Sequence, residues 1–250
     1  INVTMNGIPL NDAESHGSFW VNLPDFLSSV ESVTLQKGVG ASTNGVAAFG
    51  ANLNVQTNTL IAEPYAEINN GYGSFNTLKN TIKAGTGLLN NGLAVDLRLS
   101  NITSDGYIDR ASSDLKSYFM SLGWYGKKSI LKFNHFTGKE KTYQAWNGVP
   151  QDTLTNNRTY NEFNYQNQTD NYTQQHYQLF YSLSHKKWLV NTGLHYTRGF
   201  GYYEEFKNNQ FFSDYSLDNL IINTDTISET NLVRRRWLDN HFYGAIYSLT

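Results

Sequence analysis

The 250-residue sequence contains no cysteine and little charge, with 19 Lys and Arg against 21 Asp and Glu. The absence of cysteine excludes a disulfide scaffold and a thiolate metal site. The net charge of −2 provides no basic field that would attract phosphates, which argues against nucleic acid as a partner. No signal peptide is visible, and no apolar run reaches the roughly 18 residues that a membrane-spanning helix needs.

Alternating apolar and polar residues dominate the chain from Glu63 onward. In 77–85 and 93–100 every charged residue lies on one face and the opposite face is apolar. A Lys or Arg on the lipid face of a membrane barrel costs about 2–4 kcal/mol near the bilayer midplane. A barrel would therefore place the following charged residues toward its lumen: Lys79, Lys83, Asp96, Arg98 and Lys132.

The connections between the predicted strands alternate in length. Tight turns at 90–92, 126–128 and 185–187 alternate with long polar connections at 103–114, 138–174 and 199–236. This alternation is typical of outer-membrane barrels, which have short periplasmic turns and long outer loops. Eight strands are predicted, at 63–71, 75–88, 93–101, 115–125, 129–137, 175–185, 188–197 and 237–249. The predicted fold class is all-β, a transmembrane antiparallel β-barrel.

The first sixty residues follow a different, mixed pattern. Ile1 to Met5 predict a strand that ends in a turn at Asn6-Gly7, and Asp25 to Val30 predict a short helix. Two further short strands are predicted at 32–36 and 52–57, joined by a connection rich in Gly, Ala and Ser.

Two stretches of this part resemble the plug domain of TonB-dependent outer-membrane transporters. One is Glu-Ser-Val at 31–33, followed by a strand, a basic residue, glycine and Phe-Gly-Ala-Asn-Leu-Asn-Val at 49–55; the other is 5–12. Lys37 stands where Arg is usual, and Ala51-Asn52 replaces Gly-Val, departures typical of a Bacteroides-like (Bacteroidetes) branch. The resemblance implies the C-terminal part of a plug at 1–60 and the N-terminal portion of a barrel at 61–250. Because such barrels close with about 22 strands, about fourteen more are expected after Thr250, which makes the chain a fragment.

The resemblance also implies a function. The whole protein would be a receptor in the outer membrane of a Gram-negative bacterium. It would take up a scarce nutrient such as a siderophore, cobalamin, haem or oligosaccharide, with energy from a TonB complex that contacts a missing N-terminal segment. Outer-membrane lipid is an expected partner, and a surface lipoprotein is a further candidate. No cofactor and no enzymatic activity are implied.

Two loops supply the candidate substrate-binding residues. The apical loop of the plug contributes Asn11, Asp12, Glu14, His16 and Trp20. The long outer loop contributes Tyr143, Trp146, Asn147, Arg158 and Tyr160, which combine flat aromatic groups with polar ones. The structural alternative is that Asp12 caps local backbone and that the aromatic residues pack the loops. The spacing of Asp12, Glu14 and His16 matches no recognised metal-ligand pattern.

Catalytic motifs are missing from the sequence. It contains neither a Gly-x-Ser-x-Gly elbow nor a His-Glu-x-x-His helix. The basic run 234–236 is predicted to be a solvated loop edge. Two other functions stay open. One is a self-contained small outer-membrane barrel, which could be an enzyme, and the other is a soluble β-sandwich that binds carbohydrate through Tyr and Trp.

Overall fold

Two β-sheets and a small separate hairpin make up the described part of the fold. The structure is a computed structural model that describes residues 1–12, 14–38, 49–57 and 60–250. The predicted small-residue connection falls largely on 39–48, outside these residues. Strands of the small sheet are β1 (Asn2–Met5), β2 (Ile8–Pro9), β3 (Val30–Lys37) and β4 (Ala51–Thr57). Strands of the large sheet are β5 (Tyr65–Gly73), β6 (Thr77–Gly85), β7 (Leu93–Ser104), β8 (Ser113–Tyr125), β9 (Ser129–Tyr143), β10 (Thr169–His185), β11 (Trp188–Phe211) and β14 (Glu229–Leu249).

In the ranges that the structure describes, helical structure is confined to short turns. The turns with 3₁₀ geometry are Trp20–Asn22, Phe26–Ser29 and Phe212–Tyr215, and the α-helical turn α1 is Gln151–Leu154. Phe26–Ser29 falls within the short helix predicted at 25–30. No helix in the described ranges is long and apolar enough to cross a membrane.

The small sheet has the strand order β2-β1-β4-β3, with β1 parallel to β4 and β3 antiparallel to β4. The strands predicted at 1–5, 32–36 and 52–57 are thereby confirmed. The core of this sheet includes Met5 and Val55. Phe26, in the turn that precedes β3, packs in the same core. Two residues of the large sheet complete the core, because the Phe26 ring lies 6.3 Å from that of Phe119 and 5.2 Å from that of Phe136. The described residues of the N-terminal segment (1–57) therefore pack on one face of the large sheet.

The large sheet is antiparallel and follows chain order from β5 to β11, with β14 beside β11. All eight predicted strands are present. A small hairpin of β12 (Leu220–Ile222) and β13 (Asp225–Ile227) lies between β11 and β14 in the chain. The two outermost strands, β5 and β14, do not pair with each other. The sheet is thus an open, partial barrel.

Several strands extend further than predicted. Strand β9 continues to Tyr143 and β10 begins at Thr169, so that the loop between them, here called the outer loop, covers only 144–168. Most of the connection predicted at 199–236 is strand, because β11 runs to Phe211 and β14 begins at Glu229. These extensions carry polar residues on both faces, so they lack the apolar–polar alternation from which strands are predicted.

The basic run 234–236 lies within β14, and its prediction as a loop edge is wrong. The Arg234 guanidinium is 2.7 Å from the Glu205 carboxylate, and Arg235 pairs with Glu204 on the same neighbouring strand. Cross-strand partners of opposite charge stabilise such a pair of strands.

The inner face of the large sheet is polar and the outer face is apolar, as the charge pattern predicts. Arg98 is only 3% exposed beneath the N-terminal segment, whereas its neighbours Leu97 and Leu99 are exposed. Midway along the strands, the outward-facing residues are apolar, for example Leu122, Phe133, Leu179 and Leu194, which lie side by side on neighbouring strands. Aromatic residues flank them, with Trp124, Tyr181 and Tyr247 toward the tight turns and Tyr118, Tyr177, Tyr196 and Tyr243 toward the long loops. An apolar band between two aromatic girdles is the signature of a membrane barrel.

Candidate functional site

A cavity of about 560 Å³, here called the inner cavity, lies between the N-terminal segment and the inner face of the large sheet. Its floor is the apical loop, residues 10–20, of which Ala13 lies outside the described part. Its wall comes from β9, β10, β11 and β14, and Trp146 of the outer loop covers it. The side chains most relevant to binding are Asp12, Glu14, Phe19, Glu140, Trp146, Asp170, Tyr172, Tyr203 and Asn240.

The apical loop is held by its own side chains. The buried Asn11 amide accepts a hydrogen bond from the Val3 backbone at 2.7 Å and donates one to the His16 carbonyl at 2.8 Å. The Asp12 carboxylate accepts hydrogen bonds from the backbone N–H groups of Ser15 at 2.7 Å and Glu14 at 3.0 Å. Burial works against ionisation of Asp12, but these bonds outweigh it and lower its pKa. Asp12 thus presents a fixed negative charge at the cavity floor.

An aromatic pair forms the upper wall of the inner cavity. The Trp146 indole meets the Tyr203 ring edge-to-face, with centroids 5.4 Å apart. Trp146 keeps 53% of its surface exposed, so a ligand could still cover it. Flat aromatic surfaces of this kind bind bulky ligands with little loss of side-chain freedom.

Buried amides hold the outer loop in place. Gln144 and Gln168, at its two ends, are almost fully buried and bond to each other at 3.1 Å. Gln168 also accepts a hydrogen bond from the Phe206 backbone at 2.9 Å, and the Asn161 amide donates to the Gln144 carbonyl at 3.0 Å. These bonds tie the loop to β11 and fix the position from which Trp146 projects.

An ion pair reinforces the same attachment. Glu204 of β11 accepts a hydrogen bond from the Tyr165 hydroxyl at 2.7 Å and pairs with Arg235 of β14. Burial would raise the pKa of Glu204, but the bonds from Tyr165 and Arg235 lower it. Glu204 therefore stays ionised and links the outer loop to two strands.

Among the Asp, Glu, Lys, Arg and His side chains that the structure describes, only Asp and Glu line the inner cavity. Asp12 and Glu14 project from the floor, and Glu140 and Asp170 from the wall. Glu140 is only 3% exposed, and one oxygen of Asp170 is buried without a hydrogen-bond partner. Neither wall carboxylate has a cationic side chain within 4 Å among the residues that the structure describes. The cavity thus suits neutral or positively charged groups.

A second polar cluster anchors the N-terminal segment to β6 and β7 of the large sheet. Asp25, whose side chain is 2% exposed, pairs with Lys79 and lies 3.5 Å from Arg98. It also accepts hydrogen bonds from the hydroxyls of Thr81 at 2.6 Å and Ser100 at 2.7 Å. Burial alone would raise the pKa of Asp25, but its hydrogen bonds, that from Lys79 first, lower it to about 2. This anchor is structural and holds no part of the cavity wall.

The predicted site residues divide between the cavity and its surroundings. Asp12, Glu14 and Trp146 line the inner cavity. Asn11 lies beside a smaller neighbouring cavity of about 290 Å³. The remaining candidates lie outside the inner cavity: His16, Trp20, Tyr143, Asn147, Arg158 and Tyr160.

Two of these have structural partners. The Tyr143 hydroxyl donates to the Tyr165 carbonyl at 2.8 Å, and Asn147 bonds to Glu162. Six other residues that line the inner cavity were not predicted as site residues from the sequence: Phe19, Glu140, Asp170, Tyr172, Tyr203 and Asn240. Several of them lie at the inward-facing, alternate positions of β9, β10 and β11, and extending that alternation along the strands would have indicated them. No group of three His, Asp or Glu suited to a metal ion occurs in the part of the chain that the structure covers.

Comparison with known proteins identifies the fold. No protein-family model and no curated protein sequence matches the chain. Among solved structures, the chain superposes on the ferric-catecholate import receptor Fiu of E. coli K12 with a TM-score of 0.70, at 13% identity over 99% of this chain and 39% of that one. It also matches FpvA of P. aeruginosa bound to a heterologous pyoverdine (TM-score 0.64, 13% identity, 83% and 29% covered). A third match is the ferric yersiniabactin receptor FyuA of Yersinia pestis (0.60, 13%, 82% and 34%).

These matches are TonB-dependent siderophore receptors of the outer membrane, and the chain has their fold over most of its length. The chain spans about a third of the length of each matched receptor. The predicted barrel fold class is thereby confirmed. The Bacteroidetes-type branch stays a prediction.

Proposed function

We propose that the chain belongs to a TonB-dependent transporter of the outer membrane that takes up a scarce nutrient, with a siderophore as the leading class. The observation that carries this proposal is the inner cavity, enclosed between the apical loop and the outer loop in a fold shared with siderophore receptors. A substrate held there would touch both the N-terminal segment and the barrel wall. Binding would therefore be coupled to the position of the N-terminal segment.

The domain division proposed with this function is a plug part at 1–60 and a barrel part at 61–250. Energy would come from a TonB complex through a segment outside this chain, and a surface lipoprotein is a further candidate partner. An enzyme is not favoured, because the matched structures are transport receptors. The open large sheet also argues against a self-contained small barrel, and its exposed apolar outer face argues against a soluble sandwich.

The charge of the cavity limits the classes of substrate that we propose. Four carboxylates line it, and no Lys or Arg does so in the described residues. We therefore propose a neutral or cationic chelate, or an uncharged polyhydroxylated nutrient, in preference to a strongly anionic ferric complex.

Trp146 provides the test of the binding site. Trp146→Ala in the full-length transporter should weaken substrate binding about 5- to 150-fold, equivalent to about 1–3 kcal/mol, because the substrate loses an aromatic surface. Candidate nutrients of each charge class are titrated against the protein in detergent, and binding is followed by calorimetry. Uptake into cells with and without TonB then checks whether the bound nutrient is transported.

Trp237→Ala is the matched control, since Trp237 lies on the outer face of β14 and should leave affinity unchanged. If Trp146→Ala leaves affinity unchanged while protease sensitivity of the outer loop rises, Trp146 only packs the loop. Failure of every nutrient to bind the unsubstituted protein would count against the transporter itself.

A further inference from the structure

A shallow groove of about 570 Å³ lies on the outer face of the large sheet, away from the inner cavity. It crosses β6 to β10 near their loop ends. Its lower part is lined by Ile82, Leu99, Tyr118 and Thr137, and its upper edge by Lys116 and Lys139. The groove therefore combines an apolar bed with a cationic edge.

Strand register shows why the two lysines meet. Lys116 of β8 lies directly opposite Lys139 of β9, and Tyr118 lies opposite Thr137 one step closer to the tight turns. Both lysines point outward, because the alternate residues Ser117 and Gly138 face the N-terminal segment. The lysine pair thus stands immediately above the loop-side aromatic girdle, at the level where lipid headgroups contact a barrel.

Like charges directly opposite each other on neighbouring strands destabilise a sheet. Lys116 has one carboxylate nearby, the exposed Asp114 at 3.2 Å. Lys139 has none within 4 Å in the described residues, whereas the outward Arg198 on β11 pairs with Asp239. The pair consequently keeps an excess positive charge, which an anion between the two ammonium groups would relieve.

We infer that this groove binds a phosphorylated lipid of the outer leaflet, with a phosphate between Lys116 and Lys139 and an acyl chain against Leu99 and Tyr118. Charge complementarity selects the phosphate, and the apolar bed selects a lipid over free phosphate. Asn101 and Thr173, which flank the lysines in the same row, offer further hydrogen bonds to the headgroup. The inference needs the barrel to sit in an outer membrane but is independent of the substrate.

The test uses the full-length protein in non-ionic detergent, titrated with diphosphorylated lipid A and observed by native mass spectrometry. The double variant Lys116→Gln/Lys139→Gln should lose about 30-fold in affinity, since each lysine near an anionic lipid surface contributes about fivefold. Lys127→Gln/Lys128→Gln removes the same charge from the tight turn and should bind as the unsubstituted protein does. Resistance of the folded barrel to heating in SDS verifies that each variant is folded.

Three results would overturn the inference. The first is binding of dephosphorylated lipid A as tightly as the phosphorylated form, which would leave only a hydrophobic contact. The second is an equal loss of affinity in both double variants, which would indicate a diffuse charge effect. The third is displacement of the lipid by inorganic phosphate at low millimolar concentration, which would make the pair a free-anion site.

Discussion

Asp25 shows how much one side chain can contribute to joining two sheets. It adopts a left-handed backbone conformation with φ of 51°, and its carboxylate reaches groups on both β6 and β7. The sequence indicated Asp25 only as the first residue of a short helix. It did predict that Lys79 and Arg98 face the lumen, but not what they meet there, because a partner more than fifty residues away leaves no local pattern.

The ionisation of Asp25 should make attachment of the N-terminal segment depend on pH. Its pKa of about 2 lies below the ordinary value of 3.8, so its stabilisation is complete above pH 4 and is lost as the pH falls from about 4 to 2. The loss should amount to about 2 kcal/mol. This loss is measured by hydrogen exchange of residues 20–37 in the full-length protein at a series of pH values.

Asp25→Asn should remove most of this pH dependence and destabilise the attachment by about 3–5 kcal/mol at neutral pH, since Arg98 would remain buried without its carboxylate. Asp105→Asn is the control, because Asp105 is a loop carboxylate that bonds to the exposed Asn76. An unchanged pH profile in Asp25→Asn would mean that other carboxylates are responsible.

At the scale of elements, the tightest approach joins β9 to the turn at 20–24. A Cβ built on Gly138 would lie 1.9 Å from the Asn22 carbonyl oxygen and 2.6 Å from the Pro24 ring. Gly138→Ala should therefore push the turn away from the sheet and cost about 1–3 kcal/mol. Accelerated proteolysis of the N-terminal segment measures the effect. Gly71→Ala, where the nearest side-chain atom is 4.0 Å from the added Cβ, should leave proteolysis unchanged, and equal behaviour of the two variants would refute the steric argument.

Strands were predicted correctly in the part of the sheet that faces lipid, where apolar and polar residues must alternate. Their extensions toward the long loops, which lack this alternation, were not predicted. The outward Leu and inward charges of β7 set its register from the sequence alone. Tyr203 was missed because the loop-side half of β11 is polar on both faces and looked like a loop. Trp146 was indicated by loop composition, but its contact with Tyr203 depends on buried amides, which composition does not reveal.

For the whole molecule, the open edges of the large sheet decide whether the chain is self-sufficient. Residues 1–250 expressed alone should not form a closed monomeric barrel, because β5 and β14 would leave unpaired backbone groups in lipid at several kcal/mol each. Electrophoresis with and without heating is the measurement. A heat-modifiable band, the mark of a closed barrel, would contradict the expectation.

The attachment of the N-terminal segment also constrains the order of assembly. Each strand from β6 to β11 pairs with its predecessor in the chain, so hairpins can add one after another through contacts that are local in sequence. The segment itself depends on distant strands, since Asn6 donates to Gln178, 172 residues later, and Gly138 accommodates the turn at 20–24. The N-terminal segment therefore reaches its final packing only after β10 is in place, although it precedes the whole large sheet in the chain. Until then the apolar side of Met5, Phe26 and Val55 lacks its cover, and exposed apolar surface of this kind makes a partly folded chain prone to aggregation.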